Sequence, residues 1–465
     1  MASEHLATYL SGRRVGRFDR VNGAVSFTFD EEWRSESSRL QLSASLPRTV
    51  RHHTGPAPEN FLWGLLPDNT AVLSRWGRRF GANPDNALAL LSHVGLDCAG
   101  AVQLVEDDGA DTLERDGGIE PVDARRIHQH LMELHADPDA WTLSARHEGS
   151  FSLAGAQSKF ALAQTEDGWG VPWGGEPSTH IFKPGVDGFA QQDVIEHVSL
   201  ASAGRLGLAA ANSRIVDFDG ETAIVVERYD RVLVDGHRVR IHQEDMCQAL
   251  GIHPSGKYQN EGGPGIDMIG ALLRQEIRGR AAQNAVENFL DANAYNWLIS
   301  GTDAHAKNYS LIRTNQGARL APLYDVASAL PYPELHPRKI TLAMSIHGQY
   351  RIFGLEPRYW QRQAVTAGVD PDGLIERMTA MAEQLPDVVS DLVSELPPSP
   401  EGAAFRARFV DLMAARATAV RAMLGRAEGL TPSRSRPPSQ PRAGDVGATK
   451  FRGRFAATGE PGRDH

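Results

Sequence analysis

A chain of 465 residues, 41% of them hydrophobic, is long enough for two or three domains and is ordinary in composition for a globular protein. Its formal net charge is −10, and the last 35 residues carry seven Lys or Arg against three Asp or Glu, which leaves −14 on the rest. DNA is bound through its phosphates by clustered Lys and Arg, so an acidic body argues against broad DNA binding by the folded part.

The two cysteines, Cys98 and Cys247, are too few for a disulfide framework or a four-ligand zinc site. Residues 1–10 lack the apolar core of a secretion signal, and no segment has the eighteen apolar residues that a membrane span needs. We therefore expect a cytoplasmic protein without membrane contact. The basic tail, residues 431–465, is predicted to be disordered and solvated, with contact to nucleic acid or an acidic partner as the alternative.

The first segment, residues 1–110, has the pattern of a small α+β unit. Alternating apolar residues predict strands at 25–29 and 40–47. Apolar runs predict short helices at 59–67 and 86–91.

Two features of residues 1–148 lack a chemical signal. His52 and His53 have no partner at metal-ligand spacing, so we predict a surface loop there. Residues 111–148 are acidic, contain glycines and become helical at 122–134, and they are interpreted as a connecting segment.

The second domain begins with a segment of small residues, 151–162, that would let a hairpin approach a ligand closely. A strand at 179–184 carries Lys183, and a helix at 192–206 carries Glu196. Protein kinases pair a strand lysine with a helix glutamate so that the lysine is held on the nucleotide phosphates. The alternative is a surface Lys and Glu that never meet.

Two strands, 214–218 and 222–226, flank the turn Asp219-Gly220-Glu221 and predict a β-hairpin. The second strand continues into 227–231, where a two-lobed kinase has the hinge that meets adenine. A second hairpin is predicted around Asp235-Gly236.

One motif is misleading. The run from Gly251 to Lys257 matches G-x-x-x-x-G-K of a phosphate-binding loop, but Tyr258 replaces the Ser or Thr that would bind magnesium. The glycines and proline at 262–265 oppose the helix that should follow. We predict an ordinary loop here.

A helix with a 3.6-residue apolar period, 286–298, leads into a polar loop, 300–308. Asp303 and Asn308 are five positions apart, which is the spacing of the catalytic Asp and the metal-binding Asn in protein kinases. Taken alone, such a pair is more often two solvated turn residues.

A predicted hairpin, 309–323, follows the polar loop and would return Asp325 to the side of Asn308. Two oxygen ligands and the phosphate oxygens of a nucleotide complete an octahedral magnesium site. Residues 370–425 are predicted to be helical and structural.

The sequence resembles the HipA-type toxin kinases of bacterial toxin–antitoxin systems over roughly residues 1–425. The ordered motifs that carry the resemblance are Ser152–Gln157, His180–Lys183, Val226–Arg231, Thr302–Asn308 and Pro322–Val326. The family implies an α+β, two-lobed, protein-kinase-like fold with a small N-terminal α+β subdomain and a helical C-terminal lobe. The expected divisions are the N-terminal subdomain (1–110), the connecting segment (111–148), the kinase N-lobe (149–235), the C-lobe (236–430) and the tail (431–465).

The resemblance also assigns roles to residues. It implies that Asp303 is the catalytic base, that Asn308 and Asp325 hold Mg²⁺, and that Lys183 contacts the phosphates of ATP. The nucleotide-binding positions that it implies are Ser152, Leu153, Ala154, Gly155, Ala156, Lys183, Glu227, Tyr229, Asn308 and Asp325. Ser152 is the expected autophosphorylation site, although Ser158, where the family often has Glu, is a second hydroxyl in the same loop.

By the same resemblance the protein is a non-specific serine/threonine kinase that depends on ATP and Mg²⁺ and acts as a toxin linked to persistence. It would phosphorylate an aminoacyl-tRNA synthetase, of glutamyl type, to inhibit translation, and would inactivate itself by autophosphorylation. A separately encoded helix-turn-helix antitoxin would be its partner, and DNA would be contacted indirectly through it. The alternatives are a catalytically idle corepressor for such an antitoxin and a small-molecule kinase of similar fold.

Overall fold

The computed structural model describes residues 4–36, 40–106, 117–143, 151–333 and 340–425. The predicted disordered tail, 431–465, therefore lies outside the described residues. No helix within the described ranges is long and apolar enough to cross a membrane.

The N-terminal unit is built on a five-stranded antiparallel sheet in the order β4-β3-β2-β1-β5. Its elements are β1 (Glu4–Leu10), β2 (Arg13–Val21), β3 (Ala24–Phe29), α1 (Glu31–Ser35), β4 (His52–His53), α2 (Pro56–Gly64), α3 (Thr70–Phe80), α4 (Ala87–Val94) and β5 (Val102–Val105). The predicted strand at 25–29 and the two predicted helices are confirmed. The side chains of Asn69 and Asn86 cap α3 and α4, which fixes where these helices begin.

Two predictions for this unit are wrong. Residues 40–47 form no strand, although Leu40, Leu42 and Leu46 are buried. The segment is held instead by bonds to the C-terminal lobe, such as the one from Ser45 Oγ to the carbonyl of Gln248 at 2.7 Å. His52–His53 is not a loop but a short edge strand, because it pairs with β3.

The middle of the chain forms a six-stranded antiparallel sheet in the order β10-β11-β9-β7-β8-β6. Its elements are β6 (Gly118–Val122), α5 (Ala124–Ala136), β7 (Phe160–Thr165), β8 (Gly168–Trp173), β9 (His180–Pro184), α6 (Gln192–Arg205), β10 (Ser213–Phe218) and β11 (Glu221–Glu227). Helices α5 and α6 both pack against β10 and β11. The predicted Lys183 strand, Glu196 helix and hairpin are thus confirmed, whereas residues 152–159 are irregular.

The remaining chain is a mainly helical lobe. Its elements are β12 (Arg231–Val234), β13 (His237–Arg240), β14 (His242–Asp245), α7 (Met246–Leu250), α8 (Ile266–Glu276), α9 (Arg280–Leu298), β15 (Ser310–Thr314), β16 (Gly317–Leu320), β17 (Thr341–Ile346), β18 (Gln349–Arg351), α10 (Pro357–Thr366), α11 (Pro371–Ser394) and α12 (Ala403–Leu424). Strands β14, β15 and β16 form one sheet, and β12–β13 and β17–β18 are separate hairpins.

Helix α9 lies at the centre of this lobe. We predicted burial of one face, but every residue from Phe289 to Ser300 is buried, because other elements surround the second half of the helix. Arg416 of α12 donates to the carbonyls of Trp297 and Leu298 at the end of α9, which satisfies two terminal acceptors. The polar loop that follows α9 therefore starts from a fixed point.

Candidate active site

A cleft lies between the six-stranded sheet and the helical lobe, and its empty space, together with open solvent at the mouth, amounts to about 1550 Å³. It is lined by the small-residue loop after Phe151, by β9 and α6, by the segment after β11, and by the polar loop after α9. Every predicted site residue except Ser152 contributes to this lining.

Lys183 of β9 is the central cation of the cleft. Its Nζ donates to Glu196 Oε1 of α6 at 2.7 Å and to Asp325 Oδ1 at 2.7 Å. The side chains of Lys183 and Glu196 are 8% and 2% exposed, whereas that of Asp325 is 42% exposed and faces the cleft. The lysine and glutamate that the sequence placed in order along the chain thus meet in space.

Burial and charge act in opposite directions in this group. Burial alone would lower the pKa of Lys183, but Asp325 and Glu196 outweigh it, and the pKa rises above its usual value. Burial raises the pKa of Glu196, while Lys183 opposes that shift. For Asp325, burial is outweighed by Lys183 and then Lys159, so its pKa is well below the usual range. At neutral pH Lys183 therefore carries a positive charge and Asp325 a negative one.

Asn308 and Asp325 are adjacent, as predicted. The hairpin of β15 and β16 separates them in sequence, and Asn308 Nδ2 donates to the Asp325 carbonyl at 3.1 Å. Asp325 has a φ of 58°, a left-handed conformation that is uncommon outside glycine and is enriched at functional sites. An amide and a carboxylate supply the oxygen atoms that Mg²⁺ prefers, so the pair fits this ion when phosphate oxygens complete the coordination.

Asp303 lies in the loop between α9 and the 3₁₀ turn Ala306–Asn308. Its Oδ1 accepts a hydrogen bond from the hydroxyl of Tyr258 at 2.6 Å, and its carbonyl accepts one from the N–H of His305 at 2.8 Å. The His305 ring packs edge-on against Tyr258 with centroids 5.0 Å apart. Burial, followed by the charge of Lys257, holds the pKa of His305 well below its usual value, so the imidazole is neutral.

The small-residue loop, Ser152–Gln157, is held against the N-terminal unit. It is called the nucleotide loop below, after the role that the family resemblance implies. Ser152 is buried, and its hydroxyl donates to the carbonyl of Leu65 at 2.6 Å, away from the cleft. Gly155 has a φ of +105°, and a Cβ at this position would lie 2.6 Å from the Nζ of Lys159. The end of the lysine side chain can move aside, so it is the positive φ of Gly155 that favours glycine at this turn.

The segment Glu227–Arg231 runs from the last residue of β11 to the first residue of β12 along the rim of the cleft. Glu227 is exposed and accepts a hydrogen bond from Asn212 at 2.9 Å. Tyr229 donates a short hydrogen bond to Gln243 Oε1, and its ring lies 5.8 Å from that of Tyr324. The two predicted positions therefore both lie on the cleft, with Glu227 exposed and Tyr229 beside Tyr324.

Sequence reasoning missed Asp68, Lys159 and Lys257, which line the cleft, and Tyr258, whose hydroxyl bonds to Asp303. Lys159 donates to the Ala154 carbonyl at 3.0 Å, and burial, followed by the charge of Lys183, lowers its pKa to about 7. Lys257 is the last residue of the run that matches a phosphate-binding loop and Tyr258 follows it, so that motif was the available signal for both. Asp68 carries no local signal, because its partners lie about 190 and 240 residues further along the chain.

Comparisons with known proteins agree with this geometry. Residues 151–389 match the family described as HipA-like C-terminal domain, and residues 6–105 match the HipA N-terminal domain. The chain is 35% identical over 424 residues to “Putative kinase Y4mE” of Sinorhizobium fredii, which covers 90% of this chain and 98% of that protein. It is 29% identical over 432 residues to “Serine/threonine-protein kinase toxin HipA” of Shewanella oneidensis, which covers 88% and 94%.

Among solved structures, the Shewanella oneidensis MR-1 HipA, determined in a complex with HipB and operator DNA, superposes with a TM-score of 0.79 at 25% identity. The match covers 92% of this chain and all of that one, so the α+β, two-lobed kinase-like fold is shared along nearly the whole length. Both domain matches, the full-length relatives and this shared fold lead to one conclusion: the chain belongs to the HipA family of serine/threonine kinase toxins.

Proposed function

We propose that this protein is an ATP- and Mg²⁺-dependent serine/threonine protein kinase that acts as a toxin by phosphorylating an aminoacyl-tRNA synthetase of glutamyl type. The observation that supports it most is the convergence of Lys183, Glu196, Asn308 and Asp325 at one end of the cleft that also contains Asp303. These are the parts that phosphoryl transfer needs, because its catalysis consists of positioning and charge stabilisation.

In the proposed reaction, Asp303 accepts the proton of the acceptor serine or threonine hydroxyl. The hydroxyl oxygen forms a bond to the γ-phosphorus, and the bond from that phosphorus to the bridging oxygen breaks, releasing ADP. Lys183, held by Glu196 at 2.7 Å, stabilises the phosphate charge. Mg²⁺, held by Asn308 and Asp325, would neutralise charge on the phosphate oxygens.

Removal of the base tests the enzymatic assignment. The Asp303→Ala variant, incubated with γ-labelled ATP and glutamyl-tRNA synthetase, is expected to transfer phosphate on the order of 10³-fold more slowly than the wild type. Asp387→Ala is the matched control, because Asp387 is exposed on α11, and it should match the wild type. Equal incorporation by Asp303→Ala and the wild type would rule out Asp303 as the base.

The proposal includes self-inactivation at Ser152. Phosphorylation would remove the hydroxyl hydrogen that binds the Leu65 carbonyl and would add about two negative charges to a buried position. The nucleotide loop would then have to move away from the N-terminal unit. A Ser152→Ala variant should therefore keep binding ATP after prolonged incubation with it, while the wild type loses binding as a phosphate appears on the peptide containing Ser152. Loss of binding in both proteins would contradict this step, and phosphate on Ser158 would move the site.

The proposed partner is a separately encoded helix-turn-helix antitoxin, with DNA contacted through it, in keeping with the HipA, HipB and operator DNA complex of the Shewanella relative. Expression in a heterologous host separates a kinase toxin from an idle corepressor. Wild-type protein should arrest growth, its antitoxin should relieve the arrest, and Asp325→Ala should not arrest growth. Equal arrest by wild type and Asp325→Ala would favour a non-catalytic role.

A further inference from the structure

The carboxylate of Asp68 lies where three loops of the cleft meet, although Asp68 belongs to the N-terminal unit. Its Oδ2 accepts a hydrogen bond from Lys257 Nζ at 2.8 Å, and its Oδ1 accepts a short one from Lys307 Nζ. Its backbone N–H donates to the carbonyl of Gly155 at 2.9 Å. One residue outside both kinase lobes therefore contacts the nucleotide loop, the segment around Lys257 and the polar loop that carries Asp303.

The three charged side chains are buried together. Those of Asp68, Lys257 and Lys307 are 11%, 14% and 4% exposed. Burial alone would raise the pKa of Asp68, but Lys307 and Lys257 outweigh it and lower the pKa. Burial alone would lower the pKa of Lys257, but Asp68 contributes most to raising it. Since a buried charge without its partner is strongly unfavourable, these groups hold one another in place.

Each lysine is next in sequence to a residue that contacts the reacting groups. Lys257 precedes Tyr258, whose hydroxyl donates to Asp303 at 2.6 Å. Lys307 precedes Asn308, which donates to the carbonyl of Asp325 at 3.1 Å. A displacement of either lysine would therefore move a neighbour that orients the base or the metal-binding pair.

We propose that Asp68 is a positioning residue that ties the nucleotide loop to the polar loop, so that the N-terminal unit completes the phosphoryl-transfer geometry. The catalytic part of this inference rests on the proposed kinase function, while the coupling of the two loops does not. Misplacement of reacting groups by about 1 Å costs on the order of 10²-fold in rate, so a residue that touches no reacting atom can still control transfer.

The first test measures the coupling without activity. Asp68→Asn keeps the backbone N–H and the side-chain volume but removes the charge. Hydrogen–deuterium exchange of the full-length protein, followed on peptides covering residues 151–160 and 300–309, is expected to quicken on the order of tenfold in both peptides. Asp30→Asn is the matched control, because Asp30 lies in the same unit with an exposed ion pair to Arg14, and it should leave both peptides unchanged.

The second test separates positioning from loss of folded protein. Removing a negative charge beside the phosphate site should not weaken nucleotide binding, so Asp68→Asn should bind a fluorescent ATP analogue at full stoichiometry with a Kd within about threefold of the wild type. Its rate of phosphate transfer should fall on the order of 10²-fold. Lys257→Met should also be slow, and the double variant should be no slower than the slower single variant, because both changes break one link.

The outcomes decide the proposal. In the first test, unchanged hydrogen–deuterium exchange in the two peptides would overturn it. In the second test, an unchanged transfer rate of Asp68→Asn, or a rate loss matched by an equal loss of binding stoichiometry, would overturn it. So would a double variant whose loss of rate is the product of the losses of the two single variants. A wild-type protein that binds ATP but transfers no phosphate would refute the proposed kinase function instead. The exchange measurement would then decide by itself whether Asp68 couples the loops.

Discussion

The buried ion pair between Lys183 and Glu196 makes a prediction that separates stability from catalysis. In Lys183→Met, Glu196 stays in a site where its side chain is 2% exposed, and it keeps one long hydrogen bond from Gln192 at 3.4 Å. Removing one partner of a buried pair typically costs about 3–5 kcal/mol in the free energy of unfolding. The side chain of Asp325 is 42% exposed, so solvent screens its charge when Lys183 is removed and its contribution to the loss is small. We therefore expect Lys183→Met to lower the free energy of unfolding by about 3 kcal/mol at pH 8, the lower end of this range.

The sign of the pH dependence follows from Glu196. Burial already raises its pKa above the ordinary 4.5, and without Lys183 that pKa rises further. The folded variant then binds a proton that the unfolded chain has lost, at every pH between 4.5 and the raised value. The stability deficit of Lys183→Met relative to the wild type should therefore grow as pH rises through the raised pKa that Glu196 has in the wild type, and shrink as pH falls back through it.

Urea denaturation followed by tryptophan fluorescence between pH 5 and pH 8 measures this deficit. The double variant Lys183→Met/Glu196→Gln removes the stranded charge, so it should recover at least half of the lost stability. Its rate of phosphate transfer should stay on the order of 10³-fold below that of the wild type, because the phosphate contact is gone. The reasoning is refuted if the single variant is as stable as the wild type at pH 8, or if the double variant is no more stable than the single one.

Three further predictions concern the same cleft. Asn308→Ala should raise the Mg²⁺ concentration needed for half-maximal transfer by about tenfold or more, because one of two protein oxygen ligands is lost; an unchanged Mg²⁺ titration would remove Asn308 from the metal site. Tyr258→Phe should slow transfer by about tenfold at an unchanged KM for ATP, since Asp303 loses a charged hydrogen bond, and an unaltered kcat would argue against this contact. Because the pKa of Lys159 is lowered to about 7, ATP binding at pH 8 should take up close to one proton as the phosphates raise that pKa. Calorimetry in buffers of different ionisation enthalpy measures this uptake, which Lys159→Met should abolish.

Local sequence pattern determined several elements correctly. The apolar period of α9, the hairpin signal at Asp219-Gly220 and the alternation in β3 each reflect one buried face or one turn geometry, which neighbouring residues encode by themselves. Residues 40–47 show the limit of this reasoning. Their alternating leucines are buried, but hydrogen bonds to the C-terminal lobe replace a strand ladder, and no local pattern reports a partner that is 200 residues away.

The candidate site also has features that the sequence predicted and features that depend on tertiary packing. Residue type, order and spacing were enough to nominate Lys183, Asp303, Asn308 and Asp325, because the chemistry of phosphoryl transfer restricts which side chains can serve and how closely two of them can follow one another. That Lys183 bonds to Glu196 and Asp325 at once, and that the hydroxyl of Ser152 points away from the cleft, depended on how the sheet and lobe pack.

By itself the sequence thus determined the local elements and the chemical identity of the candidate machinery. The tertiary structure alone decided how that machinery is joined to the N-terminal unit. Asp68 follows a proline at the end of an apolar helix and has the appearance of an ordinary turn residue. Folding brings its carboxylate to two buried lysines from distant loops, and because long-range ion pairs leave no periodic trace in a single sequence, this connection required the three-dimensional structure.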